Sequence, residues 1–106
     1  MPDRRKDPRV HVNLAATYRS TNLTIDAHVR NLSTSGLFLA CPRVDAEGTP
    51  AEVVVNLPDQ ADQPVVLSGR VVWSDDVAGM GLSFGELPRD AALRLANFIV
   101  GRMYSG

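Results

Sequence analysis

The sequence predicts an all-β domain with one terminal helix: a six-stranded antiparallel β-barrel closed by a C-terminal α-helix. Three observations support this. Apolar and polar residues alternate with period two through most of the chain, polar or Gly/Pro-rich segments separate the alternating runs, and the last run changes to helical spacing. At 106 residues, of which 44% are apolar and 22% charged, the chain suits a single globular domain.

The first two strands are predicted to form a hairpin around the polar segment RSTN. Residues 10–19 and 23–30 each alternate apolar with polar side chains. Cross-strand partners share a face, so apolar residues must oppose apolar ones, which fixes the parity of the register and leaves shifts of two residues open. The favoured register sets Val10 opposite Asn31. The segment before the first strand should therefore return to the residues that follow the second strand.

Four further strands are predicted in the runs GLFLAC, PAEVVVNL, VVLSGRVVW and GMGLSF. A barrel is favoured because closure removes the exposed strand edges that promote aggregation. Trp73 and Phe84 occupy positions of inward parity, so at least one of them is expected in the core.

The C-terminal segment, about residues 88–103, is predicted to be a helix that plugs one end of the barrel. Pro88 suits its first turn. Apolar residues recur there at helical spacing at Ala92, Leu95, Ala96, Ile99 and Met103. Leu93, Phe98 and Val100 widen the apolar stripe, which leaves open a contact with a partner or with a second copy of the chain.

Charge is concentrated at the amino terminus of a chain whose net charge is -1. Residues 1–9 carry four basic and two acidic side chains, a net charge of +2. The near-neutral charge of the whole chain argues against a protein that coats nucleic acid and against a polybasic membrane binder. With one cysteine and two separated histidines, a disulfide scaffold and a zinc site are not expected. The absence of a long apolar run predicts no membrane insertion and a cytoplasmic location.

Two short elements carry the candidate chemistry. The first is the arginine segment with Arg4, Arg5 and Arg9. Arginine presents a planar fork of donors that engages phosphate or the O6/N7 edge of guanine, and its face stacks on purine rings. Arg5 and Arg9 are four residues apart and could approach one ligand from two sides.

The second element is N-x-S-x-x-G, in which Asn31 offers a donor and an acceptor and Ser33 a hydroxyl. Gly36 permits positive φ or a close approach to a ligand. Each element is weak evidence by itself. The hairpin, however, predicts that both lie at one place on the barrel.

In order and spacing, these elements resemble the PilZ domain family, the bacterial receptor module for cyclic di-GMP. The R-x-x-x-R of the family falls on Arg5 and Arg9, and its [D/N]-x-S-x-x-G falls on Asn31, Ser33 and Gly36. Three later segments also resemble the core strands of the family: GTPAEVVVNLP, LSGRVVW and GMGLSFGEL.

The resemblance implies a non-catalytic receptor with cyclic di-GMP as ligand and no cofactor. Arg5 and Arg9 would bind phosphate and guanine, Asn31 the guanine edge, and Ser33 a phosphate or a base, while Gly36 would allow close approach. Arg4 would also bind, or would help to decide whether one ligand or a stacked pair is held.

The domain organisation expected from this comparison is a flexible ligand-binding switch segment at residues 1–9 and a barrel with its helix at residues 10–106. Ordering of the segment would signal to a protein partner, with the receptor a monomer or a ligand-dependent dimer. Control of motility, biofilm formation or transcription is compatible with such a receptor.

Three other hypotheses remain. One is a constitutive interaction subunit that has no essential ligand. Another is a nucleic-acid binder that uses the basic tail, which the sparse positive charge elsewhere disfavours. An enzyme is the least favoured, because no acid, base or nucleophile set is recognisable.

Overall fold

The computed structural model describes residues 9–58 and 63–104, and of residue 104 only the backbone. In these ranges the elements are β1 (Val10–Arg19), β2 (Thr24–Leu32), β3 (Gly36–Ala40), β4 (Pro50–Val55), β5 (Val65–Asp75), β6 (Gly79–Phe84) and α1 (Arg89–Tyr104). The strands pair antiparallel in the order β1-β2-β3-β6-β5-β4, and the barrel closes because β4 also pairs with β1. The predicted fold class is confirmed.

The core lies inside the barrel and under the helix. Inward side chains of all six strands are buried there, because alternate residues of each strand point to the same face. The helix adds Leu95 and Ile99, whose side chains are 1% and 2% exposed. Its bounds differ by one residue from those predicted, and it follows directly on Pro88, whose carbonyl accepts the amide of Ala92.

The β1–β2 hairpin has the predicted parity but not the favoured register. Leu14 lies opposite Val29, two residues away from the favoured pairing. A bulge then shifts the register between His11 and Leu14, so that His11, and not Val10, lies opposite Asn31. The extra residue belongs to β1, and alternation alone does not reveal it. Arg9, the described residue directly before β1, nevertheless lies beside Asn31, as the hairpin register predicted.

A second bulge changes the orientation of Trp73. Val71 pairs with Leu82 and Trp73 pairs with Gly81, so β5 carries one extra residue at Val72. Beyond the bulge the side chains exchange faces, and Trp73 is 44% exposed on the barrel exterior. The inward prediction for Trp73 is wrong, whereas Phe84 packs against the core.

A buried polar contact fixes the loop between β3 and β4. The Tyr18 hydroxyl donates to Oδ2 of Asp45 at 2.6 Å, and the Ser20 hydroxyl donates to the same oxygen at 2.5 Å. Burial raises the pKa of Tyr18 above its ordinary value, and the hydrogen bond to Asp45 raises it further. The phenol therefore remains a donor, and it ties the loop to the hairpin end.

Candidate ligand-binding site

One predicted pair of site residues is in direct contact. Arg9 immediately precedes β1, and its Nη1 donates to Oδ1 of Asn31 at 2.5 Å on the barrel exterior. The contact follows from the strand register, because His11 pairs with Asn31 and the chain two residues earlier lies close to the end of β2. Arg4 and Arg5 lie outside the described residues, as does the expected switch segment apart from Arg9.

Ser33 forms the turn between β2 and β3. Its side chain is 1% exposed, and its Oγ accepts the amide hydrogens of Gly36 at 3.1 Å and Ser35 at 3.2 Å. The backbone closes the same turn, since the Ser33 amide donates to the Gly36 carbonyl at 2.9 Å. In this structure the hydroxyl stabilises the turn that follows Asn31.

Gly36 is required by its neighbouring strand. Its φ is not positive, unlike those of Gly48 and Gly79. A Cβ built at Gly36 would lie 2.4 Å from the carbonyl oxygen of Leu82, closer than carbon and oxygen can pack. Of the two reasons expected for this glycine, positive φ is therefore excluded. The close approach that the structure shows is to β6, because β3 and β6 pair at this point.

An outward-facing row of residues extends from Asn31 across three further strands. Register pairs connect Asn31 with Phe38, Phe38 with Gly81, and Gly81 with Trp73. The Phe38 and Trp73 rings meet above Gly81, with centroids 5.7 Å apart and planes inclined by 47°. A Cβ at Gly81 would already touch Trp73 Cβ at 3.7 Å. We call Phe38 and Trp73 the aromatic platform.

Sequence reasoning missed the aromatic platform because the β5 bulge reverses the facing of Trp73. The usable signal was local: Val71, Val72 and Trp73 form a run of three apolar residues that breaks strict alternation, opposite the glycine-containing run of β6. Glycine within a strand often marks a bulge or a close approach, and glycine opposite a large aromatic residue leaves room for the ring.

The arrangement suits an anionic ligand with aromatic bases. Arg9 supplies a cationic fork and Asn31 an amide, and both stand at one end of the row that leads to the platform. Aromatic faces bind nucleobases by stacking, at about 1 to 3 kcal/mol per base. Arginine adds charge-assisted hydrogen bonds to phosphate.

The two histidines are not brought together, since His11 pairs with Asn31 and His28 with Ala15. Among the described residues, no group of three or more His, Cys, Asp or Glu side chains could hold a metal ion. The described helix is not long and apolar enough to cross a membrane.

The PilZ domain family model matches residues 3–101. The chain belongs to the PilZ domain family. PilZ domains are a receptor family for cyclic di-GMP, and their members are binding domains rather than enzymes. A comparison of the sequence with curated proteins gives no match.

Two solved structures share this PilZ fold. The Bacillus subtilis inhibitor of motility (MotI/DgrA) superposes with a TM-score of 0.83 at 16% identity, over 98% of this chain and 53% of that one. The PilZ domain of CeSA from a cellulose-synthesizing bacterium superposes with a TM-score of 0.69 at 12% identity, over 92% of this chain and 99% of that one. The present chain thus spans about half the length of the first neighbour.

Proposed function

We propose that this PilZ domain binds cyclic di-GMP between its N-terminal arginine segment and the N-x-S-x-x-G turn, and signals to a protein partner. The observation that supports the proposal most strongly is the contact of Arg9 with Asn31. It joins two motifs that are 22 residues apart in sequence into one surface beside the aromatic platform.

The proposed roles follow from the contacts. Arg9, with Arg5 and Arg4 from the segment before it, binds phosphate and the O6/N7 edge of guanine, and Asn31 meets the guanine edge. Ser33 and Gly36 act by shaping and packing the turn, because the hydroxyl of Ser33 is buried in it.

The platform extends the site that the sequence predicted. Trp73 is 44% exposed. Phe38 pairs with Asn31 in the register, and the Phe38 ring contacts the Trp73 ring from one side. In the proposed complex a guanine stacks on this surface while the arginines hold the phosphates.

A second contact supports signalling through the start of β1. Arg102 of the helix donates from Nη2 to the carbonyl oxygen of His11 at 3.1 Å. His11 is two residues from Arg9 and pairs with Asn31. A ligand that reorders the arginine segment would therefore also act on the last turn of the helix.

Calorimetric titration with cyclic di-GMP tests the proposal. Wild-type protein should bind saturably, and R5A/R9A should weaken binding by about tenfold or more, since each charge-assisted bond contributes roughly 1.5 to 3 kcal/mol. Arg43→Ala is the matched control, because Arg43 is an exposed arginine of the β3–β4 loop. Absence of saturable binding by the wild type, or equal binding by R5A/R9A and wild type, would refute the proposal.

The exposed side chains of Leu93, Val100 and Met103 favour the alternative of a constitutive interaction subunit. Under this alternative, partners recovered by pull-down would be the same with and without cyclic di-GMP, and R5A/R9A would not change them.

A further inference from the structure

A groove of about 410 Å³ lies on the outer wall of the barrel, where β5 and β6 pair. Its lining includes Ser68, Arg70, Ser83, Phe84 and Glu86. It thus combines a guanidinium, two hydroxyls, an aromatic ring and a carboxylate in one depression, separate from the contact of Arg9 with Asn31. The volume falls within the range of small-molecule sites, roughly 300 to 1,000 Å³.

We infer that this groove is a subsite for a guanine base, read by Arg70 and Glu86. Arginine donates to O6 and N7 of guanine, and a carboxylate accepts from its N1 and N2 hydrogens. The acceptors O6 and N7 and the donors N1–H and N2–H lie on adjacent edges of the guanine ring. A groove that carries both a cation and an anion therefore offers a partner to each edge. Adenine carries an amino group where guanine has O6, and that group would face the donors of Arg70.

Arg70 and Glu86 are both exposed, so a ligand can reach them. Nη1 of Arg70 donates to the carbonyl oxygen of Gly48 at 3.0 Å, which holds the side chain at the rim. A guanidinium has five N–H groups, so this bond leaves donors for a ligand. Phe84 is half-buried against the core and gives the groove a fixed aromatic wall.

The groove shares a wall with the N-x-S-x-x-G turn. Ser83 pairs with Gly36, and the Phe84 amide donates to the carbonyl oxygen of Ser35 at 2.8 Å. On the other side, Val72 lines the groove and directly precedes Trp73. The groove and the aromatic platform are therefore neighbouring parts of one outer surface. The inference rests on the proposed function for its ligand class, because cyclic di-GMP carries two guanines and the groove seats the second.

The test uses GMP and AMP as single-base probes on the full chain, followed by amide chemical shifts. GMP should shift the amides of Gly69, Gly85 and Glu86 more than AMP does at equal concentration. Glu86→Gln should raise the apparent Kd for GMP by about tenfold or more, because it removes a charged acceptor. Glu47→Gln is the control, since Glu47 is an exposed carboxylate of the β3–β4 loop.

Equal shifts with GMP and AMP, GMP shifts confined to other parts of the chain, or a Glu86→Gln titration that matches wild type would overturn the inference. The two proposals fail separately. R5A/R9A should keep the GMP shifts in the groove while losing affinity for cyclic di-GMP. If wild type binds GMP in the groove but not cyclic di-GMP, the proposed function fails and the guanine subsite stands. If wild type binds cyclic di-GMP but GMP does not bind in the groove, the guanine subsite fails and the proposed function stands.

Discussion

Replacing Ser33 with alanine tests whether its hydroxyl holds the turn after Asn31. The hydroxyl is buried and accepts the amides of Gly36 and Ser35. Gly36 is buried, so Ser33→Ala leaves the buried amide of Gly36 without the hydroxyl that accepts its hydrogen. Such a loss costs roughly 1 to 3 kcal/mol. For a domain of this size, about 2 kcal/mol corresponds to a fall in Tm of about 10 °C.

The assay is urea unfolding followed by circular dichroism, with thermal unfolding as a second measure. Thr34→Ala is the matched control, because Thr34 is an exposed residue of the same turn. It should change the free energy of unfolding by less than about 0.5 kcal/mol, as is usual for surface substitutions. If Ser33→Ala is no more destabilising than Thr34→Ala, the hydroxyl does not hold the turn and the reasoning is wrong.

Three further predictions concern the barrel and its helix. Gly36→Ala should destabilise the fold by about 1 to 3 kcal/mol in urea unfolding, because its Cβ would meet a β6 carbonyl at 2.4 Å; an unchanged midpoint would contradict this. The folded-state pKa of Tyr18 is raised above the unfolded value of 10.0, so its stabilising contribution is complete below pH 10 and should decline as pH rises further. Unfolding between pH 8 and 11 should show this decline in wild type and less of it in Tyr18→Phe; equal pH dependence would refute the assignment. Arg102→Ala should cost about 1 kcal/mol and speed hydrogen exchange in the last helical turn, and exchange that matches wild type would show that this bond does not hold the helix end.

The period of the hydrophobic pattern was sufficient to predict the strands and the helix. Alternation and turn residues separated six strands, and the change to helical spacing located α1 to within one residue at each end. Barrel closure followed from the need to pair strand edges. These features depend on many residues at once, so a local irregularity does not change them.

Three register shifts in the described strands, in β1, β2 and β5, could not be predicted in this way, and they decide the details of the site. The extra residue in β2 lies between Val29 and Asn31 and sets Asn31 opposite Phe38. An extra residue in β1 sets His11 opposite Asn31, and an extra residue in β5 turns Trp73 outward. Period-two patterns fix parity only where pairing is regular. The roles of Ser33 and Gly36 also needed coordinates, because a hydroxyl that caps a turn and one that binds a ligand look the same in sequence.

A double-mutant cycle on cyclic di-GMP affinity tests the central claim that Arg9 and Asn31 form one site. It compares wild type, Arg9→Ala, Asn31→Ala and the double variant by calorimetry. Each single change should weaken binding about tenfold or more, and the double variant should lose clearly less than the product of the two, because contacting residues are coupled by about 0.5 to 3 kcal/mol. If the losses of binding free energy in the two single variants add up to the loss in the double variant, or if either substitution leaves the affinity unchanged, the account is contradicted.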